Sequence, residues 1–317
     1  MKQKIKNILR PYKNYIVYHI MKQQRAKCDY FDVDSFMTDL PLYGFPDLPG
    51  IQGNKCYGNY NVLQHALGYD FHPRSMVEHG LYFAEYVIEG ECTMDCIDTI
   101  YTYSNYRKNA ILKHFGGKID KEIITVGPYI QYAPNFKTKS ELAALKANLG
   151  KVLLVFPSHS FADEDAIYDF NEFSKCIDEM AVSYDSVLIS MLGYDIQQGL
   201  DKQYRDKGYK IVSSGTRNDP YFLSRQRDLM ELADMTVSND VGTHIGYSIC
   251  LGTPHYIFDQ KITAIKKAAS AHASDYLQNT REREYAEIKS VFNSREPVIT
   301  PEQIAMVKKY WGEFNVK

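Results

Sequence analysis

From residue 151 onward the chain alternates short apolar runs with amphipathic segments. VLLVF at 152–156 is a continuous apolar run, the pattern of a strand buried on both faces. Shorter runs rich in β-branched and aromatic residues at 187–191, 209–213, 235–238 and 255–258 predict four more strands. The spacers at 164–184, 196–207, 221–233 and 243–251 predict helices. Five strands alternating with four helices predict a parallel sheet, because parallel neighbours need a crossover connection. Two of these strands run into small polar clusters, SSGTRND at 213–219 and SNDVGTH at 238–244. An open parallel sheet offers its ligand the loops at the carboxyl ends of its strands.

The first half is less regular. Residues 76–79, 99–103 and 122–126 predict strands, and 106–115 predicts a helix stopped by Gly116-Gly117. A polar helix at 138–148 precedes Gly150, which marks the expected domain boundary. With 317 residues the chain is long enough for two cores. The division expected is 1–150, an α/β domain, then 151–295, a second α/β domain. A terminal segment, 296–317, holds a helix at 301–311 that starts behind Thr300 and returns to the first domain. Residues 263–289 are polar and predict helix.

Charge changes the picture at one end only. The net charge of −2 and the absence of a basic stripe interleaved with aromatics through the body argue against a nucleic-acid partner. Yet Lys2, Lys4, Lys6, Arg10, Lys13, Lys22, Arg25 and Lys27 all precede the first acidic residue, interleaved with apolar and tyrosine positions. This opening lacks the roughly 20 continuous apolar residues of a membrane span and the apolar core of a signal peptide. Two expectations remain open: a helix with its apolar side on the body, or one lying on an anionic membrane surface. Six cysteines, Cys28, Cys56, Cys92, Cys96, Cys176 and Cys250, show no disulfide framework, which fits the cytoplasm, with a peripheral place on the inner face of the cytoplasmic membrane as the second expectation. Cys92, Cys96 and His114 lack zinc-site spacing, and Asp32-Val33-Asp34 precedes any strand, so no metal is expected.

Four segments carry a family resemblance: VEHGLYF at 77–83, TVGPYI at 125–130, VLLVFPSHS at 152–160 and ELADMTVSNDVGTHIGYSICLGTPHYIF at 231–258. Together with the order of elements they resemble the GT-B glycosyltransferase superfamily. The last, with its Leu251-Gly252-Thr253-Pro254 turn, is similar to the donor-side segment of bacterial capsule and lipopolysaccharide glycosyltransferases. The resemblance implies an α/β fold of two Rossmann-like domains facing across a cleft. It further implies a nucleotide-sugar donor, no cofactor, and a saccharide or lipid-linked saccharide acceptor in surface polysaccharide biosynthesis.

Glycosyl transfer explains the residue types. A departing phosphate needs oriented donors or positive charge. The matching positions are Ser158, His159 and Ser160 after the first strand of the second domain, Ser214, Thr216 and Arg217 after its third, and Asn239, Asp240, Gly242, Thr243 and His244 after its fourth. Arg217 can grip phosphate bidentately, or hold a nearby aspartate instead. Thr243 and His244 stand at a helix start, where capping alone also explains them. The acceptor hydroxyl must lose a proton, and His79 is the expected base because an ordinary imidazole titrates near neutrality; Glu78 is the alternate or orienting partner. His65 and His72 are further acceptor-side candidates.

Missing motifs narrow the field. No G-x-G-x-x-G follows a strand, and neither a phosphate-binding G-x-x-x-x-G-K-[ST] nor a G-x-S-x-G is present. No E-x7-E pair spans 231–238, which leaves the stereochemistry open. A polysaccharide pyruvyl transferase, a sugar-nucleotide epimerase and a non-catalytic carbohydrate-binding protein remain the alternatives.

Overall fold

A computed structural model describes residues 2–36, 38–41, 51–160, 164–266 and 275–315. In chain order the strands are β1 (Ser75–Val77), β2 (Thr99–Thr102), β3 (Glu122–Thr125), β4 (Val152–Phe156), β5 (Glu164–Ile167), β6 (Ser186–Ser190), β7 (Lys210–Val212), β8 (Met235–Ser238), β9 (His255–Ile257) and β10 (Thr263–Lys266). The fold is mixed α/β with two wholly parallel sheets. One has three strands in the order β1-β2-β3 and the other five in the order β7-β6-β4-β8-β9. The apolar run at 152–156 is the central strand of the larger sheet, and all five of its residues are buried. That explains its lack of alternation: both faces are covered.

The order of the larger sheet contains a switch point. The chain builds outward from β4 through β6 to β7, then returns to place β8 and β9 on the other side. The crevice between β4 and β8 is therefore where such a sheet binds ligands.

Several expected elements differ in extent. The helix expected over 164–184 begins with β5, which pairs antiparallel with β10, and Asp169 then caps a shorter helix, Phe170–Ala181, by accepting the Glu172 N–H. The helix expected over 196–207 is two short pieces, Gly193–Gln197 and Lys202–Arg205, separated around Gly199 at φ 75°. A left-handed glycine cannot continue a helix. Residues 263–289 hold β10 and the start of a helix, Asp275–Val291. By contrast, Thr243–Leu251 and Pro301–Trp311 form as the pattern predicts. The second is fixed by a reciprocal Thr300/Gln303 capping box, with Pro301 in the first turn.

One continuous apolar core joins residues of both sheets, among them Val77, Tyr101, Val152, Leu154 and Ile245, with Trp311 buried in it. The helix Pro301–Trp311 links the two halves: Ser104 Oγ donates to the Tyr310 carbonyl (2.7 Å), and Trp311 Nε1 donates to the Thr243 carbonyl (3.0 Å). Gly246 permits this packing, since a Cβ there would lie 2.3 Å from the indole ring. The helix Lys2–Arg25 is anchored through its last residue. Arg25 and Arg225 both face Asp219, at 3.5 and 3.1 Å, and all three side chains are buried. No helix among the described residues is long and apolar enough to cross a membrane.

Candidate active site

A cleft of about 590 Å³ is lined by the loops that follow β1, β4, β6, β7 and β8, and by the helix Asp275–Val291. The carboxyl ends of strands from both sheets thus open into one cavity.

On the side of the larger sheet, the switch-point loops are tied together. Ser158 N–H donates to Asn239 Oδ1 (2.7 Å), and Asn239 Nδ2 donates to Gln260 Oε1 (2.8 Å), with Asn239 and Gln260 buried. The extended Gly242 is the N-cap of Thr243–Leu251, and no side chain caps that helix start. Its first-turn N–H groups and positive dipole end stand where an anion is stabilised. Two buried polar atoms at this spot have no hydrogen-bond partner, His244 Nε2 and Ser158 Oγ. Both residues line the cleft. Leaving such groups unbonded is costly, and a ligand oxygen would satisfy them. The His244 ring stacks on Phe156 with centroids 4.9 Å apart, and burial pushes its pKa down to about 3. At neutral pH it is an uncharged imidazole able to donate one N–H. A Cβ on Gly242 would come within 2.7 Å of His244 Cε1, so the glycine makes room for the ring.

The facing wall carries His79. Its Nε2 lies 2.9 Å from the Tyr82 hydroxyl and 3.3 Å from Arg217 Nη2, while Arg217 Nε donates to Cys56 Sγ (3.2 Å). Burial, then the neighbouring guanidinium, lowers the His79 pKa to about 4. The near-neutral value expected from an ordinary imidazole does not hold in this setting, because the ring is desolvated and a cation sits against it. Glu78 is not on the cleft. It is buried behind the wall, where Oε1 accepts from Arg107 Nη2 (2.7 Å), and Oε2 accepts from Arg107 Nε (3.2 Å) and from the Thr102 hydroxyl. Its oxygens are committed inward. Arg107 also donates to the carbonyls of Tyr82 (3.1 Å) and Tyr86 (2.8 Å), so the pair holds the loop that presents His79 and Tyr82. That loop is strained: Ala84 and Glu85 have φ of 59° and 58°, unusual for residues with a Cβ. The buried Glu284 clamps it, accepting from Ala84 N–H (2.7 Å) and from the Tyr106 hydroxyl (2.9 Å).

Of the remaining sequence-derived positions, His159, Ser214, Arg217, Asp240 and Thr243 line the cleft. Ser160, Thr216 and Asn239 are buried and do not line it: Ser160 N–H donates to Asp195 (3.1 Å), and Asn239 braces the loop after β4. His65 and His72 lie elsewhere. His65 is exposed on Asn59–Leu67, and the exposed His72 precedes β1, 4.0 Å from Glu122 at the amino end of β3. The sequence pattern also passed over one wall. Arg281, Tyr285 and Lys289 line the cleft from Asp275–Val291, close to Asp240, whose carboxyl is pushed up by burial and drawn back by the Val241 N–H and then by both cations. Their spacing of four and four residues is the signal that was present, one stripe on one helix face.

No protein-family model matches the sequence, and no curated protein matches it. Among solved structures the chain is similar to UDP-GlcNAc 2-epimerase from Methanocaldococcus jannaschii, at 14% identity and a TM-score of 0.40 over 87% of this chain and 81% of that one. It is also similar to Anabaena HepE in complex with UDP, at 13% identity and a TM-score of 0.34 over 63% of this chain, and it spans 57% of HepE. A third similarity is to α,α-trehalose 6-phosphate synthase from Burkholderia multivorans, at 10% identity and a TM-score of 0.29 over 68% of this chain and 62% of that one. These likenesses are distant.

Proposed function

We propose that the cleft is the active site of a glycosyltransferase that moves a sugar from a nucleotide-sugar donor to a saccharide or lipid-linked saccharide acceptor. One observation carries this reading. The uncapped start of Thr243–Leu251, with the unbonded His244 Nε2 and Ser158 Oγ, opens at the switch point into the same cavity as His79 from the other sheet. The first group suits the donor phosphates, with Arg217, Arg281 and Lys289 as the nearby cations. His79 faces the acceptor.

In the proposed reaction the acceptor oxygen forms a bond to the anomeric carbon as the bond from that carbon to the phosphate oxygen breaks. The electron pair leaves with the nucleotide phosphate, and the acceptor proton passes to His79 Nε2. Arg217 now points at that nitrogen. When phosphate draws the guanidinium away, His79 gains basicity at the moment the donor is in place. The setting proposed is surface polysaccharide assembly, supported by the resemblance of residues 231–258 to capsule and lipopolysaccharide transferases.

The test is incubation with a panel of nucleotide sugars and saccharide acceptors, following free nucleotide and acceptor mass. Coupled nucleotide release and acceptor glycosylation is expected. Donor interconversion without acceptor modification would identify an epimerase, and tight binding without turnover a binding protein; either overturns the proposal.

A further inference from the structure

Beneath the loop that carries Ser214 and Arg217 into the cleft, three charged side chains are closed off from water. Arg25, the last residue of Lys2–Arg25, is 3% exposed, and Asp219 and Arg225 are each 0% exposed. Asp219 Oδ2 faces Arg25 Nε at 3.5 Å and Arg225 Nη1 at 3.1 Å, which sets the two guanidiniums side by side. Neither approach has the geometry of a hydrogen bond. Both guanidiniums also lie over the Phe36 ring, 5.1 and 4.7 Å from its centroid. The other Asp219 oxygen accepts the Tyr221 N–H (2.9 Å).

The charges in this group do not cancel. Among the described residues Asp219 is the carboxylate that pairs with either arginine, so two positive charges share one negative charge away from water. A buried charge without a counter-charge is costly. The N–H groups are not all met either. Arg25 Nη2 donates to the Thr38 carbonyl, Arg225 Nη2 to the Arg25 carbonyl, and Arg225 Nη1 to the Ser214 carbonyl (3.2 Å). Arg25 Nη1 and Arg225 Nε have no acceptor, and the buried Thr216 Oγ1 in the same loop has no partner. Burial pushes the Asp219 carboxyl up and the Arg225 guanidinium down, as charges short of solvation behave. A water molecule would bond the N–H groups and leave the excess charge in place. We propose that Arg25 Nη1 and Arg225 Nε hold a small monovalent anion of the chloride class, with Thr216 Oγ1 as a further donor. The ion ties the end of Lys2–Arg25 to the loop that presents Ser214 and Arg217. It belongs to the fold beneath the cleft, whatever reaction the cleft performs.

The test uses the full chain, with thermal unfolding followed as chloride or bromide replaces gluconate at constant ionic strength. The wild-type midpoint should climb by about 2 °C or more and then level off, because an ion bound only to the folded state stabilises it by mass action. Thr216→Val should need about threefold or more halide for the same rise. Arg225→Met leaves one arginine facing one carboxylate, and its midpoint should be the same in gluconate and in halide. Wild-type crystals grown in bromide read the site without any variant: an anomalous peak between Arg25 and Arg225 is expected. The inference is overturned if that position carries no anomalous peak, if the wild-type midpoint is the same in gluconate and in halide, or if Arg225→Met folds and keeps the halide response. A bromide peak with no halide effect on the midpoint would mark an adventitious ion only, and overturns it as well.

Discussion

The two walls of the cleft are built differently. The wall on the larger sheet follows from chain order: β4 and β8 lie side by side at a switch point, and a glycine-started helix places its N–H groups there with few special contacts. The wall on the smaller sheet depends on side chains from distant segments. Glu78 and Arg107, 29 residues apart, hold the loop from beneath, and Glu284 grips a left-handed turn 200 residues away in sequence. The difference teaches that a helix N-terminus can be set at the edge of a cleft largely by backbone topology, whereas placing one imidazole in a defined electrostatic setting needs long-range clamps.

The sharpest challenge to this contrast is His79→Ala. If His79 is the proton acceptor, turnover should fall by roughly 10²–10⁴-fold while nucleotide affinity, set by the other wall, stays unchanged. Since the base must be unprotonated, activity is lost as pH falls through its pKa. The acidic limb of kcat/KM, which reports the free enzyme, should lie near 4 rather than near 6.5. The limb of kcat should lie higher, once phosphate has taken Arg217. Identical limbs in both profiles would remove the coupling between the walls.

Arg107→Ala leaves a buried carboxylate without its partner and should cost about 3–5 kcal/mol of stability, read by urea denaturation. A loss of under about 1 kcal/mol would mean that the loop after β1 does not depend on the pair.

Gly242→Val addresses the backbone-built wall. By crowding the His244 ring and the helix start it should weaken nucleotide binding by roughly 1.5–3 kcal/mol in titration calorimetry, with the fold intact. Unaltered affinity would place the phosphates elsewhere.

The smallest effect concerns the strained turn. Ala84→Gly relieves a positive φ and should raise stability by about 1 kcal/mol if the Glu284 clamp already fixes the loop. A destabilisation would show that the chain entropy added by glycine outweighs the strain.

The half-buried imidazoles also shape acid behaviour. His79 and His244 have folded pKa values of about 4 and 3, below the ordinary 6.5, so the unfolded chain binds more protons between those limits. Their contribution to stability is complete above about pH 6.5 and is lost as pH falls toward 3. A thermal midpoint flat across that window in wild type, and equal to that of His244→Ala, would contradict the burial of these rings.

Much of the larger sheet was legible. The run at 152–156 admits only a doubly buried strand, and the helix at 243–251 has a glycine before it and the Leu-Gly-x-Pro turn after it. Local pattern suffices because each element signals its own period and its own ends. Most residues chosen at the carboxyl strand ends line the cleft, because those ends open on one side of the sheet, whereas Ser160, Thr216 and Asn239 turn away from it. Tertiary structure alone decided three things. It turned Glu78 inward onto Arg107, although in sequence it adjoins His79 and looked equally placed. It desolvated His79 and set Arg217 against it, 138 residues away, and burial together with that charge lowered the basicity of the ring. It brought Arg281, Tyr285 and Lys289 into the cleft from a helix that reads as an ordinary polar tail. Periodicity names the face a residue occupies, but burial and the field of distant charges depend on which segments meet, and that is a property of the packed chain.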